Sequence, residues 1–364
     1  MSKITFLIGN GFDLACGLRT KYKDTYHDYV NSTPSSPSEE IAQFKKTIQE
    51  NIPTWADFEM KLIDYARTLK SEKELLTCLR DYDAFLNDYL QGVQQEFWTA
   101  NSALEKGANA VIKEVGRSLS YFYTGLTEND VRGIRNVILR STPVNYKFIS
   151  FNYTDVFDRL VVSAFNCGEV SIFDASCIRS DVQHIHGILG EDVTLGIDNE
   201  AQLTDLPYGI TSRGKRALIK PVFLQMYDDN RLEEAIETIK KSDVVCIFGL
   251  SLGDSDATWR SQLASWLKAN KTNHLIYYKH KNMVKKYHST AKTQKMDDEE
   301  DSKEELISLL FDHSLEKEEK EALLNQIHAP VGVSLFNITE ALKKERDNAV
   351  WKTEMKKKLE THPI

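Results

Sequence analysis

Two glycines stand directly after the first apolar run of the chain, where a strand would lead into a helix. Residues 4–8 are continuously apolar or β-branched, and Gly9 and Gly11 interrupt the run. Glycines at such a turn let the backbone approach a pyrophosphate, whose charge then meets the N–H groups of the following helix. The dinucleotide fingerprint G-x-G-x-x-G is incomplete because Leu14 occupies its third glycine position, so a plain glycine turn is the alternative.

An asparagine ends a second apolar run, residues 148–151. Ligands of open parallel sheets collect at the carboxyl ends of the strands, which is where Asn152 would lie. Its side chain offers both a donor and an acceptor without charge, so it can hold a water molecule or a ribose hydroxyl. The alternative is an asparagine that only bonds to neighbouring backbone and turns the chain.

Two histidines, His184 and His186, precede Gly187. Their two-residue spacing on a strand would place both imidazoles on one face. An imidazole can accept a proton near neutral pH, and Gly187 would leave room for a substrate. Two alternatives stay open: a hydrogen-bonded structural histidine, and a metal site that recruits Asp254 and Asp256, although no calcium-loop pattern surrounds these two residues.

A further polar segment follows an apolar run later in the chain. Gly249 and Ser251 are suited to contact a ribose or a phosphate through backbone and hydroxyl groups. Asp254 and Asp256 are suited to cap a helix that is expected to begin near Trp259. The G-x-S-x-G spacing here does not indicate the nucleophile turn of a serine hydrolase, because no histidine and acid suited to complete a serine triad follow it in the chain.

The elements that must position these segments are buried strands. Four runs lack the polar alternation of a half-exposed strand, and helical patterns lie between the later ones; the runs are residues 4–8, 148–151, 244–248 and 275–278. Strands of this kind are buried on both faces. The sequence therefore predicts an α/β fold with a Rossmann-like parallel sheet and helices on either side.

The rest of the chain is predicted to be helical. Two apolar stripes with helical spacing indicate helices that pack within this chain rather than a coiled-coil dimer. The first stripe is Trp55, Phe58, Leu62, Tyr65 and Leu69, and the second is Leu75, Leu79, Tyr82, Leu86, Tyr89 and Val93. Loop signals at 32–38 and a change from basic to acidic residues near Thr290 indicate connectors. The expected organisation is a discontinuous α/β core, a helical insertion and a C-terminal helical region, at 1–34 with 142–290, 35–141 and 291–364 respectively.

Composition excludes several classes of protein. The 364 residues include 46 Lys and Arg against 54 Asp and Glu, a net charge of -8, so no overall positive field attracts nucleic acid and none is expected as a partner. The basic residues Lys279, Lys281, Lys285 and Lys286 are expected to form a solvated helix face.

Neither a signal peptide nor an 18-residue apolar stretch is evident, so a cytoplasmic protein without a membrane partner is expected. The five cysteines form no C-x-x-C pair and are expected to be mostly buried thiols.

Four motifs, in this order, resemble the AbiH family of bacterial phage-defence proteins, which looks like a distant branch of the sirtuin-like NAD-binding fold. The motifs are residues 7–13, 150–154, 184–187 and 248–254. The resemblance covers roughly residues 1–30 and 145–280. It implies a sirtuin-like core and NAD+ as the ligand.

The resemblance also implies roles for particular residues. Asn152 matches the asparagine of the sirtuin Asn-x-Asp element, and His186 matches the active-site histidine, so both would be catalytic. The implied nucleotide-binding residues are Gly9, Asn10, Gly11, Phe12, Asp13, Tyr153, Thr154, Gly187, Gly249 and Ser251. Thr154 stands where sirtuins carry the aspartate that holds the nicotinamide amide. The sirtuin four-cysteine zinc module is missing, which argues against protein deacetylation.

The function implied is an NAD+ glycohydrolase that acts during phage infection. Asn152 would position the attacking water and His186 would remove a proton, with no metal required. Free depletion of NAD+ would be toxic, so a phage-encoded trigger or oligomerisation through the helical regions is expected. The alternatives are a sensor that binds NAD+ or ADP-ribose without turnover, and a metal-dependent hydrolase or nuclease.

Overall fold

The computed structural model describes most of the chain. The described residues are 2–34, 36–50, 52, 58–104, 107–191, 193, 195–197, 200, 203, 205–226, 229–253, 256–279, 292–311 and 315–361. They contain six strands: β1 (Lys3–Ile8), β2 (Val144–Ser150), β3 (Cys177–His184), β4 (Val244–Phe248), β5 (His274–Tyr278) and β6 (Ile327–His328). All pair in parallel in the order β3-β2-β1-β4-β5-β6. The predicted α/β class with a Rossmann-like parallel sheet is confirmed.

Helices connect the strands, cover both faces of the sheet and build the insertion. The helices are α1 (Gly11–Ala15), α2 (Tyr22–Asn31), α3 (Glu39–Glu50), α4 (Phe58–Ala66), α5 (Glu72–Ala100), α6 (Ala110–Ser120), α7 (Glu128–Ile138), α8 (Val156–Asn166), α9 (Ser212–Leu218), α10 (Lys220–Met226), α11 (Arg231–Lys240), α12 (Ala257–Ala269), α13 (Lys292–Leu310), α14 (Lys317–Leu324) and α15 (Ile338–Thr361).

The central strands are apolar on both faces because each face packs on its own helical layer. Phe6 and Phe148 belong to a core shared with α6, α7 and α8. Leu7 lies in register with Ile149 and Ile247, and these three side chains pack with α11 and α12 on the opposite face. Since successive residues of a strand point to opposite faces, a continuous apolar run is what two covered faces require.

The helical insertion packs within the same chain. A third core contains the described members of both predicted stripes except Leu69 and Tyr89, which are half-buried against it, and Val93, which packs in the first core. Trp55, the first residue of the first stripe, lies outside the described residues. The expected intramolecular packing is what the structure shows. Helix α2 joins this third core through Tyr26 and Tyr29.

Several expectations about boundaries need correction. A strand was expected only around residues 184–186, whereas β3 spans Cys177–His184. The two-residue strand β6 was not expected, because it falls in the C-terminal region that was predicted to be helical. The acidic residues 297–301 lie inside α13 rather than in a connector. Helix α12 begins at Ala257, which agrees with the start expected near Trp259. The connector predicted near Thr290 lies outside the described residues.

The cysteines agree with the sequence prediction. Cys16, Cys78 and Cys246 are buried, and all five cysteines are free thiols. Burial raises the pKa of the Cys246 thiol, which keeps it protonated at neutral pH. Within the part of the chain that the structure describes, we find no helix with both the length and the apolar content needed to cross a bilayer.

Candidate functional site

A cavity of about 230 Å³ lies at the carboxyl ends of β1, β2 and β4. Strands β1 and β4 are neighbours in the sheet, and the strand order runs outward from them in opposite directions, through β2 and β3 on one side and β5 and β6 on the other. The cavity therefore sits at the topological switch point, where such sheets bind ligands. The lining residues come from the strand ends and from the insertion: Asn10, Asp13, Thr20, Tyr22, Thr25, Glu59, Leu86, Leu90, Phe151, Asn152, Tyr153, Thr154, His186, Gly249, Leu250, Ser251 and Asp256.

Three glycines bring the loops after β1 and β4 into direct backbone contact. A Cβ atom on Gly11 would lie 2.4 Å from the Cα atom of Gly249, and one on Gly9 would lie 2.5 Å from the carbonyl oxygen of Gly249. Gly9 N–H donates to Phe248 O and Gly11 N–H donates to Gly249 O, each at 2.9 Å. Gly249 also has a φ of +71°, in the region that favours glycine. These glycines therefore serve close packing of the two loops.

Asp13 of α1 is a buried carboxyl group in the wall of the cavity. Its side chain is only 2% exposed. The Thr154 hydroxyl donates to both carboxyl oxygens, at 3.0 and 2.9 Å, and the Asn152 amide donates to Oδ1 at 3.1 Å. Burial raises the pKa of Asp13 to about 7, and these hydrogen bonds oppose part of that rise. A carboxyl group with a pKa near neutrality can both accept and release a proton at physiological pH.

The side-chain oxygen of Asn152 is buried in the cavity wall without a hydrogen-bond partner among the described residues. The amide group is held on its other side, because its nitrogen donates to Asp13. His184 supports the backbone here through a contact of 2.9 Å between its Nδ1 and Asn152 O. An unpartnered buried acceptor costs roughly 1–3 kcal/mol, so a bound hydroxyl or water would satisfy a standing deficit.

His184 and His186 do not share a face, contrary to the prediction. His184 is the last residue of β3, and its Nε2 lies 3.0 Å from Asp158 Oδ1. Burial alone would lower the pKa of His184, but the contacts with Asp158 outweigh it and the pKa is raised. The strand ends there because the chain turns, so only His186 reaches the cavity.

Both nitrogens of His186 have protein partners. One bonds to the Phe151 backbone, and Nε2 lies 3.4 Å from Lys220 Nζ. Burial and the Lys220 charge lower the pKa of His186 well below its ordinary value. The imidazole is therefore neutral at physiological pH, with Nε2 turned toward an ammonium group.

A buried ion pair joins the insertion to this histidine, and the sequence reasoning missed it. Glu59 of α4 and Lys220 of α10 make a contact of 2.8 Å, with side chains 9% and 7% exposed. Glu59 also lines the cavity. The available signal was periodicity, because Glu59 shares the buried face of α4 with Leu62 and Ala66. A charged residue on an apolar helical face marks a paired or functional position.

The structure brings most of the sequence-predicted site residues into one cavity and places the others outside it. The predicted residues that line the cavity are Asn10, Asp13, Asn152, Tyr153, Thr154, His186, Gly249 and Ser251. Gly9, Gly11 and Gly187 are not among the lining residues. Phe12 is fully buried and packs edge-on against Phe157 and Phe336, so it belongs to the apolar core rather than to the cavity wall.

The metal-site alternative gains no support from the described residues, which hold no group of three or more His, Cys, Asp or Glu side chains arranged for a metal ion. Asp254 lies outside them. Asp256 precedes α12 and accepts a hydrogen bond of 3.0 Å from Gly253 N. The expected capping of α12 by the Asp256 side chain is not observed.

The fold and the cavity define an α/β protein with a ligand site at the switch point of a parallel sheet. The family model for bacteriophage abortive infection AbiH matches residues 5–278, which is more than half of the chain and includes the insertion. The chain belongs to the AbiH family, and its role is in phage abortive-infection defence. No curated protein matches the chain.

Proposed function

We propose that the cavity is the active site of an NAD+ glycohydrolase that acts during abortive infection. The observation that carries the proposal is the unpartnered Asn152 oxygen, buried in a switch-point cavity beside a carboxyl group of near-neutral pKa. Parallel sheets bind dinucleotides at this place. Small-molecule pockets measure roughly 300–1,000 Å³, so a cavity of about 230 Å³ would enclose only part of a dinucleotide, and the proposal places the nicotinamide ribose there.

The reaction breaks the bond between C1′ of the ribose and the nicotinamide nitrogen, and water adds at C1′. Nicotinamide leaves with the bonding electron pair as a neutral base, which needs no general acid. Positive charge develops on the ribose, and the buried carboxyl group of Asp13 is placed to stabilise it. Asn152 Oδ1 accepts a hydrogen bond from the attacking water or from a ribose hydroxyl.

The proton that water loses is assigned to Asp13 rather than to His186. The Asp13 pKa of about 7 matches the pH at which the reaction must run. A proton on His186 would lie beside the Lys220 ammonium, which makes the imidazole a weak base. His186 would instead form part of the wall that holds the substrate. Thr154 takes part by holding Asp13, so a carboxyl group is present although residue 154 is not an aspartate.

A second candidate is a sensor that binds NAD+ or ADP-ribose without turnover. The observation that favours it is that both oxygens of Asp13, the proposed proton acceptor, already accept hydrogen bonds from Thr154 and Asn152. The two candidates differ in the consequence of Asp13→Asn. A sensor that still binds its ligand keeps its defence phenotype, whereas an enzyme that has lost its proton acceptor does not.

The test is release of nicotinamide from NAD+ by the purified protein, with and without lysate from phage-infected cells. We expect release only with the infected lysate, and its loss in Asn152→Ala. Binding of NAD+ without release under any phage trigger would refute the enzyme and favour the sensor. Asn325→Ala, which changes an exposed asparagine at the end of α14, controls for nonspecific effects.

A further inference from the structure

The insertion contributes a carboxylate to the cavity wall. Glu59 lines the cavity together with Asn152. Its Oε1 accepts a hydrogen bond from Lys220 at 2.8 Å, so the carboxylate is held in place in a site where it is almost fully buried. An ionised carboxylate only accepts hydrogen bonds, and its two oxygens offer about four acceptor positions. Because Lys220 occupies only one of these positions, Glu59 can still accept hydrogen bonds from a ligand.

The polar groups of the cavity wall are matched to a ligand that donates hydrogen bonds. Asn152 Oδ1 is an acceptor, and Glu59 supplies further acceptor positions. A ribose presents two neighbouring hydroxyl donors, and carboxylates bind ribose hydroxyls in dinucleotide-binding folds. In those folds the acidic residue belongs to the sheet, whereas Glu59 belongs to a helix outside it.

We propose that Glu59 is the residue that recognises the ribose diol of the substrate, with Lys220 as the positioning residue that holds its carboxylate. This rests on the proposed NAD+ site. Lys220 Nζ contacts both Glu59 and His186, so one ammonium group fixes the insertion and the histidine relative to each other. The insertion is thus a specificity element of the site. Ligands without a ribose diol, such as deoxynucleotides, are selected against.

The experiment measures dissociation constants by calorimetry for NAD+ and for its analogues that lack the 2′- or the 3′-hydroxyl of the nicotinamide ribose. Affinity is used because removal of a hydroxyl also changes the intrinsic rate of cleavage. The wild-type protein should bind at least one analogue about 10- to 100-fold more weakly, as for a lost hydrogen bond to a charged group. In Glu59→Gln the Gln oxygen faces Lys220 and an amide donor faces the cavity, so this preference should fall to about twofold.

Controls separate recognition from folding. Glu39→Gln changes an exposed glutamate at the start of α3 and should keep the wild-type preference. If Glu59→Gln does not fold, Glu59→Gln with Lys220→Met removes both charges and serves in its place. A wild-type preference retained in the Glu59 variant overturns this inference and leaves NAD+ cleavage standing. Binding without cleavage even in the presence of the infected lysate refutes the enzyme, while the affinity ratios still decide the role of Glu59. Absence of NAD+ binding overturns both.

Discussion

Two clusters of polar side chains lie at opposite ends of the strands of the same sheet. At the carboxyl ends of the strands, Asp13 accepts hydrogen bonds from Asn152 and Thr154 and lines a cavity. At the amino ends of the strands, where β5 begins, His274 Nδ1 lies 3.0 Å from His328 Nε2. Asp130 of α7 completes the second cluster, with its Oδ2 3.7 Å from His328 Nδ1.

Shifted pKa values occur in both clusters, so they do not by themselves identify the functional one. Burial and the neighbouring His328 lower the pKa of His274 to about 4, and the pKa of Asp130 is lowered mainly by its interaction with His328. His328 is only 1% exposed and lies away from the switch-point cavity. The cluster at the carboxyl ends differs because Asp13, Asn152 and Thr154 line a cavity. A perturbed group marks a functional site when a ligand can reach it.

Asp13→Asn should have the largest effect on activity. Loss of the proton acceptor is expected to slow nicotinamide release roughly 10²–10⁴-fold. His274→Gln, at the other cluster, should change the rate less than about twofold. Both rates are measured with the same infected lysate. An equal loss of activity in the two variants would remove the distinction between the clusters.

The same Asp13 variant should not lose stability at alkaline pH. The folded-state pKa of about 7 lies above the model-compound value of 3.8, so the native state holds a proton that the unfolded state has released between these pH values. Asp13 therefore disfavours folding increasingly as pH rises through this window. Thermal unfolding at pH 8 should occur at or above the wild-type temperature, and a large decrease would mean that the ionised carboxylate is stabilising.

Lys220→Met should have the largest effect on stability. It leaves the Glu59 carboxylate buried without its ammonium partner, a change that costs roughly 3–5 kcal/mol of unfolding free energy. Removing both charges together, in Glu59→Gln with Lys220→Met, should restore much of that loss. Denaturant unfolding measures both variants. If the double variant is as unstable as the single one, the pair is not the source of the effect.

Gly249→Ala should destabilise the contact between the two loops. Gly168 provides a matched control, because its φ of +70° is nearly the same as the +71° of Gly249. A Cβ on Gly249 would lie 2.6 Å from Gly11 Cα, whereas one on Gly168 meets nothing within 4 Å. Both variants carry the backbone strain, and Gly249→Ala should cost about 1–3 kcal/mol more from overpacking. Equal melting temperatures would show that the loops can move apart.

His274→Gln should change only the acid limb of stability. The native state keeps His274 unprotonated between its folded-state pKa of about 4 and the ordinary value of 6.5, so its contribution to stability is lost as pH falls through this window. Wild-type unfolding free energy should fall more steeply than that of the variant there, by up to about 1.4 kcal/mol per pH unit. Parallel pH profiles would show that the histidine pair does not resist protonation.

The fold could be predicted because four of the six described strands contain a continuous apolar run that is visible in the sequence. Strands β1, β4 and β5, and the second half of β2 from Phe148 onward, are mostly apolar and buried on both faces, which is typical of the centre of a parallel sheet. Strand β3 lies at an edge and carries Arg179 and Asp181 among its residues, so it has no apolar run. Strand β6 has only two residues, and its pairing with β5 depends on tertiary contact rather than on local sequence.

The site could be predicted only where its residues follow a strand. Asp13, Asn152 and Gly249 follow β1, β2 and β4, and the shared edge of a parallel sheet brings them together. Glu59 could not be placed from spacing, because its approach to the cavity depends on how α4 packs over the sheet. The arrangement of His186 beside Lys220 was equally inaccessible, since it requires the position of α10.

The most direct test is the time course of NAD+ and nicotinamide in cells that express the protein during phage infection. We predict that NAD+ falls and nicotinamide rises after infection of cells with the wild-type protein. Cells with Asn152→Ala at equal protein level should keep their NAD+ and lose protection. A constant NAD+ level in wild-type cells that nevertheless abort the infection would contradict the account.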